Sequence, residues 1–357
     1  MKKRENLSVL ILAAGKGKRM KSSKPKVLHQ IFGRPMLYYI LKSAYGLNPG
    51  NVVVVVGHRK DMVKQYLHQN FPQAISADQD QQLGTAHAVR SVAKLKDRMG
   101  KRVVVLSGDC PLIESKTLKL LVQKMDKTGS SAAILSTILP DPTGYGRIIK
   151  DSRGKVLKVV EQKDAAARQK MIKEINTSIY SFNRDKLFLH VENIDSDNSQ
   201  NEYYLTDVVE KLVEAGDRVT SLKLKDFIQV MGVNDRNQLA EVEKILKQKI
   251  NQKFMEQGVS IKDPENTHIQ DTVEIEKDTT IEPYCFITGT TTIGTGCRIG
   301  PFCQINDAAV GRDTIINNSV VNGSRIGENN RIGPYSCLGP ETETKKGQCI
   351  GNYLNKG

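Results

Sequence analysis

Gly15, Gly17, Lys16, Lys18, Arg19, Lys21 and Lys26 crowd into one short loop, directly after the uncharged run Leu7–Ala14. Glycines let the backbone come close to a ligand and aim successive N–H groups at it. Arginine grips phosphate oxygens with a planar fork, while lysine acts as a point charge. The chemistry this spacing suits is capture of a triphosphate. The loop has neither the GxxxxGK(S/T) nor the GxGxxG spacing, since Lys18, Arg19 and Met20 follow Gly17, so the two commonest nucleotide loops are excluded. A solvated basic turn after a core strand is the plainer alternative.

Positioning such a loop requires a rigid sheet. Over the first ~230 residues apolar strand patterns alternate with helical ones, which predicts an α/β domain on a mainly parallel sheet. Strands are expected at Leu7–Ala13, Val52–Val56, Val103–Ser107 and Ala132–Leu139. A helix is expected from Pro35 to about Asn48, with Leu37, Ile40, Leu41 and Ala44 on one face. Ligands of such sheets sit at the carboxyl ends of the strands, where both the Gly15 loop and Gly108-Asp109-Cys110-Pro111 fall. A helical pattern from Asn234 to about Gln257, capped by Asn234 or Asp235 and ended by Gly258, reads as a linker. The domains are therefore expected at 1–233, 234–258 and 259–357.

Beyond the linker Ile269, Ile275, Ile281, Ile287, Ile293, Ile299 and Ile305 recur every six residues; the rhythm slips near Val310 and resumes at Val320, Ile326, Ile332, Leu338 and Ile350. A period of six belongs to a β-helix whose short strands stack turn upon turn. Cys285, Cys297 and Cys303 each precede a ladder isoleucine by two and are expected to be packing residues. No CxxC pair or His-rich cluster accompanies the six cysteines, which argues against zinc and for a reduced, cytoplasmic setting without an export signal. The 357 residues carry a net charge of +14, yet the cations are scattered, Trp is absent and aromatics are 5%, so nucleic-acid binding is not expected. No stretch approaches the ~20 apolar residues of a membrane span.

Further segments narrow the reading: QLGTAHA (82–88), SGDCPLI (107–113), PTGYGRI (142–148), VVEQKDA (159–165), EINTSIY (174–180), EYYLTD (202–207) and GVNDRNQL (232–239). With LAAGKGKRM and Pro25-Lys26 before them, they resemble, in order and spacing, the bacterial bifunctional N-acetylglucosamine-1-phosphate uridylyltransferases/glucosamine-1-phosphate acetyltransferases. The resemblance implies a Rossmann-like nucleotidyltransferase domain followed by a left-handed hexapeptide-repeat β-helix. It implies that Leu12, Ala13, Ala14, Gly15 and Lys26 hold the nucleotide, with Gln79, Gly84 and Thr85 reading the uracil edge. Arg19, Lys26 and Asp109 would be catalytic, the first two on the phosphates. Ser107, Gly108, Gly146, Glu161, Asn176 and Asn234 would surround the amino sugar, and Asp109 and Asn234 would hold Mg²⁺. UTP and N-acetylglucosamine 1-phosphate are the implied substrates, and a homotrimer through the β-helix the implied assembly.

The chain departs from the pattern in places. Ser107 stands where some members have Tyr, and Lys18 where Thr is common. Gly339 and Gly357 align with basic residues of the second, acetyl-transferring site, and the chain stops before that site's catalytic His. The expectation is a uridylyltransferase without acetyltransferase activity. Another hexose 1-phosphate as acceptor, or a non-catalytic binding or scaffold protein, remains the alternative.

Overall fold

The computed structural model describes residues 4–351 and 355–356; Gly357 lies outside the described residues. The chain divides into two compact units, Met1–Leu239 and Ala240–Gly357.

In the first unit the strands of the large sheet are β1 (Arg4–Ala13), β2 (Pro49–Val56), β3 (Ile75–Asp78), β4 (Arg102–Ser107), β5 (Ala132–Ile138), β6 (Arg147–Lys150), β7 (Val156–Val160), β8 (Glu174–Asn183) and β9 (Val219–Leu224). Among the described residues they form one sheet in the order β9-β5-β8-β4-β1-β2-β3, with β6 on β8 and β7 on β6. The β4-β1-β2-β3 portion is parallel, and β8 runs antiparallel between β4 and β5. Side chains alternate across a strand, and here each alternation feeds a different core. Val9, Ile11, Val52, Val54, Val104 and Leu106 pack on one face; Leu10, Val53, Val55, Val103 and Val105 pack on the other. That explains why these strands are continuous apolar runs. The helix Met36–Tyr45 buries Leu37, Ile40, Leu41 and Ala44 against the first face, as its spacing predicts.

The helix Arg236–Glu256 begins at Asp235, whose carboxylate accepts from the Gln238 N–H at 2.9 Å. Of the two candidate caps Asp235 is therefore the one used, which leaves the Asn234 side chain for another task. Ile250 and Phe254 of the same helix join the core of the second unit.

Among the described residues that second unit is a coil of three parallel strand stacks with six, six and four strands. Ile269, Ile281, Ile287, Ile293, Ile299 and Ile305 all point inward at no more than 1% exposure. Cys285, Cys297 and Cys303 are buried beside them, as packing residues should be. The expectation at Val320 is corrected: Val320 is 40% exposed and Val321 is the buried rung. Pairing shows why. Ile281 sits on Ile299, eighteen residues on, but Ile299 pairs with Ile316 and Ile305 with Val321, so turns shorten to seventeen and sixteen residues by losing corner residues. Two adjacent valines hide which one keeps phase. No described helix is long and apolar enough to cross a membrane.

Candidate functional site

A cleft of about 630 Å³ opens at the carboxyl ends of β1 and β4. Its floor is built by close backbone crossing. The Gly108 N–H donates to the Leu12 carbonyl at 2.9 Å. A Cβ at 108 would lie 2.7 Å from that oxygen, so only glycine lets the two strand ends meet. Asp109 follows at once, and its carbonyl accepts from the Val233 N–H at 2.9 Å, which brings the segment before the last helix alongside.

On this floor Lys26 Nζ contacts Asp109 Oδ2 at 2.5 Å and Asn234 Oδ1 at 2.8 Å. Ser107 Oγ donates to the other Asp109 oxygen at 2.6 Å. Burial works against ionisation of Asp109, but the neighbouring Lys26 charge and the bonds from Lys26, Ser107 and Cys110 outweigh it and hold the carboxyl below its ordinary value. Burial, reinforced by Asp109, pushes the Cys110 thiol far up, so Cys110 stays protonated and unreactive at neutral pH. Two oxygen donors thus converge on one cation, the ligand type a hard divalent ion prefers.

One wall carries the glycine loop, with Leu12, Ala13, Ala14, Gly15, Lys16, Gly17 and Lys18. Space beyond Gly15 is open, whereas a Cβ on Gly17, at φ +58°, would strike Lys26 Cβ at 2.7 Å. A second wall holds Gln79, Gln82, Gly84 and Thr85. The chain from Glu202 to Thr206 clamps it: Ala86 N–H donates to Tyr203 O at 2.8 Å, and Leu205 N–H donates to Thr85 Oγ1 at 2.9 Å.

The third wall comes from β7 and β8. Glu161 is pushed up by burial, and its carboxylate accepts from Thr206 Oγ1 at 3.3 Å. Gly146 lies behind it; a Cβ there would sit 3.3 Å from a Glu161 oxygen. Pairing of β8 with β5 shifts register between Asn176 and Tyr180, and Ser178 takes a left-handed φ of 59°. This irregularity re-aims the strand, as bulges do. Ser178 and Tyr180 line the cleft, while Asn176 stands one layer back and donates to the Tyr180 hydroxyl at 2.7 Å.

Of the residues singled out in the sequence, Leu12, Ala13, Ala14, Gly15, Lys26, Gln79, Gly84, Thr85, Ser107, Gly108, Asp109 and Glu161 line this one cleft. Asn234 reaches it through Lys26. Gly146 and Asn176 support it from behind. Arg19, in the short turn Lys18–Met20, is exposed and is not among the lining residues. Sequence reasoning did not single out Gln82, Ser178, Tyr180, Gln200, Glu202, Tyr204 or Thr206. The segments EINTSIY and EYYLTD contain several of them, but their order alone does not say which side chains turn inward.

A family model described as nucleotidyl transferase matches residues 8–248, the strands and loops that build this cleft. The chain belongs to the nucleotidyl transferase family. A second model, described as the GMPPB C-terminal domain, matches residues 264–354. The chain is 45% identical over 297 residues to the bifunctional protein GlmU of Thermoanaerobacter pseudethanolicus, covering 83% of this chain and 64% of that protein. To bifunctional protein GlmU of Carboxydothermus hydrogenoformans it is 40% identical over 345 residues, 97% of this chain and 76% of the relative. It is thus a member of the GlmU group of nucleotidyl transferases, spanning a little under two thirds of the first relatives it matches. In this nucleotidyl transferase the Lys26–Asp109–Asn234 contact sits beside the basic loop, with Lys26 close against Gly17, on the same cleft.

Proposed function

We propose that the cleft transfers UMP from UTP to N-acetylglucosamine 1-phosphate and releases pyrophosphate. The observation that carries this reading is the Lys26 ammonium held between Asp109 and Asn234 on the cleft floor, beside an open glycine loop. The sugar phosphate is already an anionic nucleophile, so no general base is needed. One of its oxygens forms a bond to the α-phosphorus, the bond from that phosphorus to the bridging oxygen breaks in line, and pyrophosphate leaves with the electron pair. Positioning and neutralisation of charge supply the rate.

Lys26 and the loop cations hold phosphate oxygens; Gln79, Gly84 and Thr85 face the base; Glu161, with Gly146 and Asn176 behind it, faces the sugar. Asp109 and Asn234 would hold Mg²⁺, which would screen the phosphate charge when bound. Among the described residues no group of three or more His, Cys, Asp or Glu is placed to hold a metal ion by itself, so substrate oxygens would complete the ion's shell. Arg19, exposed beside the loop, is assigned to the phosphates by resemblance.

The test is a pyrophosphate-release assay with a panel of nucleoside triphosphates and sugar phosphates, products identified by mass. Asp109→Ala should abolish turnover at saturating UTP; near-normal turnover overturns the reading. The same reading expects no acetyl transfer, because Gly339 offers no cation where the second site needs one, although the relatives are named bifunctional. CoA release from acetyl-CoA with glucosamine 1-phosphate would refute it. A homotrimer through the coil, in a cytoplasmic protein, is checked by light scattering.

A further inference from the structure

Gln79 puts an almost wholly buried amide, 3% exposed, on the cleft wall. Its nitrogen lies 3.2 Å from the Gly84 carbonyl oxygen and 3.0 Å from His87 Nδ1. A carbonyl only accepts, so the Gly84 contact decides which end of the amide is nitrogen. Both amide hydrogens are then used, one on Gly84 and one on His87. His87 Nδ1 must accept, which puts the ring proton on Nε2. The Gln79 side-chain oxygen accepts from no described group and is not sealed from the cleft.

His87 is itself held in place. It sits on the helix Thr85–Arg90, its ring 6.3 Å from that of Tyr203. The Arg90 guanidinium lies 4.5 Å from the Tyr203 ring centre and donates to the carbonyls of Val191 and Ile194. His87 is absent from the cleft lining.

We propose that His87 determines which pyrimidine the cleft accepts, by fixing the Gln79 amide so that only its oxygen faces the base. The inference rests on the nucleotide reading above. An oxygen acceptor pairs with the N3–H of uracil or thymine. Cytosine presents a lone pair at N3, and two acceptors face to face leave both unpaired in a buried place. Without the His87 acceptor one amide hydrogen loses its partner and only the longer contact with the Gly84 carbonyl still opposes turning, so the Gln79 amide turns more readily and its nitrogen can meet cytosine. His87 is a positioning residue acting through Gln79.

The experiment compares kcat/KM for UTP and CTP in the wild type, Gln79→Ala, His87→Phe and His87→Asn, with N-acetylglucosamine 1-phosphate as acceptor. His87→Phe keeps a ring beside Tyr203 without an acceptor, and should lower the UTP:CTP ratio by about 10- to 100-fold, while kcat at saturating UTP stays within about 3-fold. His87→Asn, whose amide oxygen replaces Nδ1, should restore most of the ratio. A His87→Phe ratio within about 2-fold of wild type, with the Gln79→Ala ratio collapsed, overturns the role of His87 alone. An unchanged ratio in both variants overturns base reading by Gln79 as well. Nitrogen-15 NMR of labelled histidine tests the same arrangement in the unmutated chain: the Nε2–H tautomer at His87 is expected, and an Nδ1–H tautomer refutes the proposal even where a variant fails to fold.

Discussion

Replacing Lys26 by Met and Asp109 by Asn, singly and together, isolates the ion pair at the floor of the cleft. Unit charges about 4 Å apart attract by about 4 kcal/mol at an effective dielectric constant of about 20. The two side chains keep 14% and 22% of their exposure, so water screens part of that, and a coupling of about 2–3 kcal/mol is expected from the double-mutant cycle. Lys26→Met should be the costlier single change, because it leaves a carboxylate that burial already disfavours with only Ser107 and Cys110 as partners. The pH dependence follows from the sign. The folded pKa of Asp109 is depressed, so the stabilisation is fully present above the ordinary carboxylate value near ~4 and is lost as pH falls through the lower folded value. Urea unfolding followed by circular dichroism at pH 7 and pH 3, fitted to separate transitions for the two units, measures this. A coupling below about 0.5 kcal/mol at pH 7, or one that is unchanged at pH 3, would refute the argument that this is a desolvated pair.

Other changes probe other parts of the molecule. Gly84→Ala places a Cβ 2.5 Å from the Tyr203 carbonyl oxygen at a φ of +117°; the loop must shift, and KM for UTP should rise at least ~10-fold with a smaller change in kcat. Asp207 is pushed up to about 6, chiefly by burial and then by Glu210 and Glu161. A raised carboxyl opposes folding once pH exceeds the unfolded value, so Asp207→Asn should stabilise by about 1–2 kcal/mol at pH 7 and by nothing near pH 3, read from melting curves. Ile299→Ala removes a fully buried rung of the coil and should cost about 3–4 kcal/mol in the second unit's transition, leaving the proposed UMP transfer intact.

Much of the architecture is legible in local sequence because it is periodic. Strands buried on both faces must be nearly continuous apolar runs, and Val9–Ala13 and Val52–Val56 are unbroken ones. A coil with three strands per turn must repeat every six residues, and seven isoleucines do so. The Val320 expectation fails because a corner residue can be lost without changing the hydrophobic count; only pairing between turns fixes the phase.

The basic glycine loop, and the phosphate chemistry proposed for it, are legible in the sequence itself, since residue type and spacing alone define them. What gathers beside the loop is decided only by the tertiary structure. Lys26, Asp109 and Asn234 are far apart in the chain and meet because Gly108 and Val233 bond to the ends of neighbouring segments. Asn234 is released from capping by Asp235, a choice local propensity leaves open. Tyr180, Thr206 and the His87 ring behind Gln79 are ordinary residues in one dimension. They gain their positions from an irregularity in β8 and from the clamp of Tyr203 and Leu205 on Ala86 and Thr85, long-range contacts that no local pattern encodes.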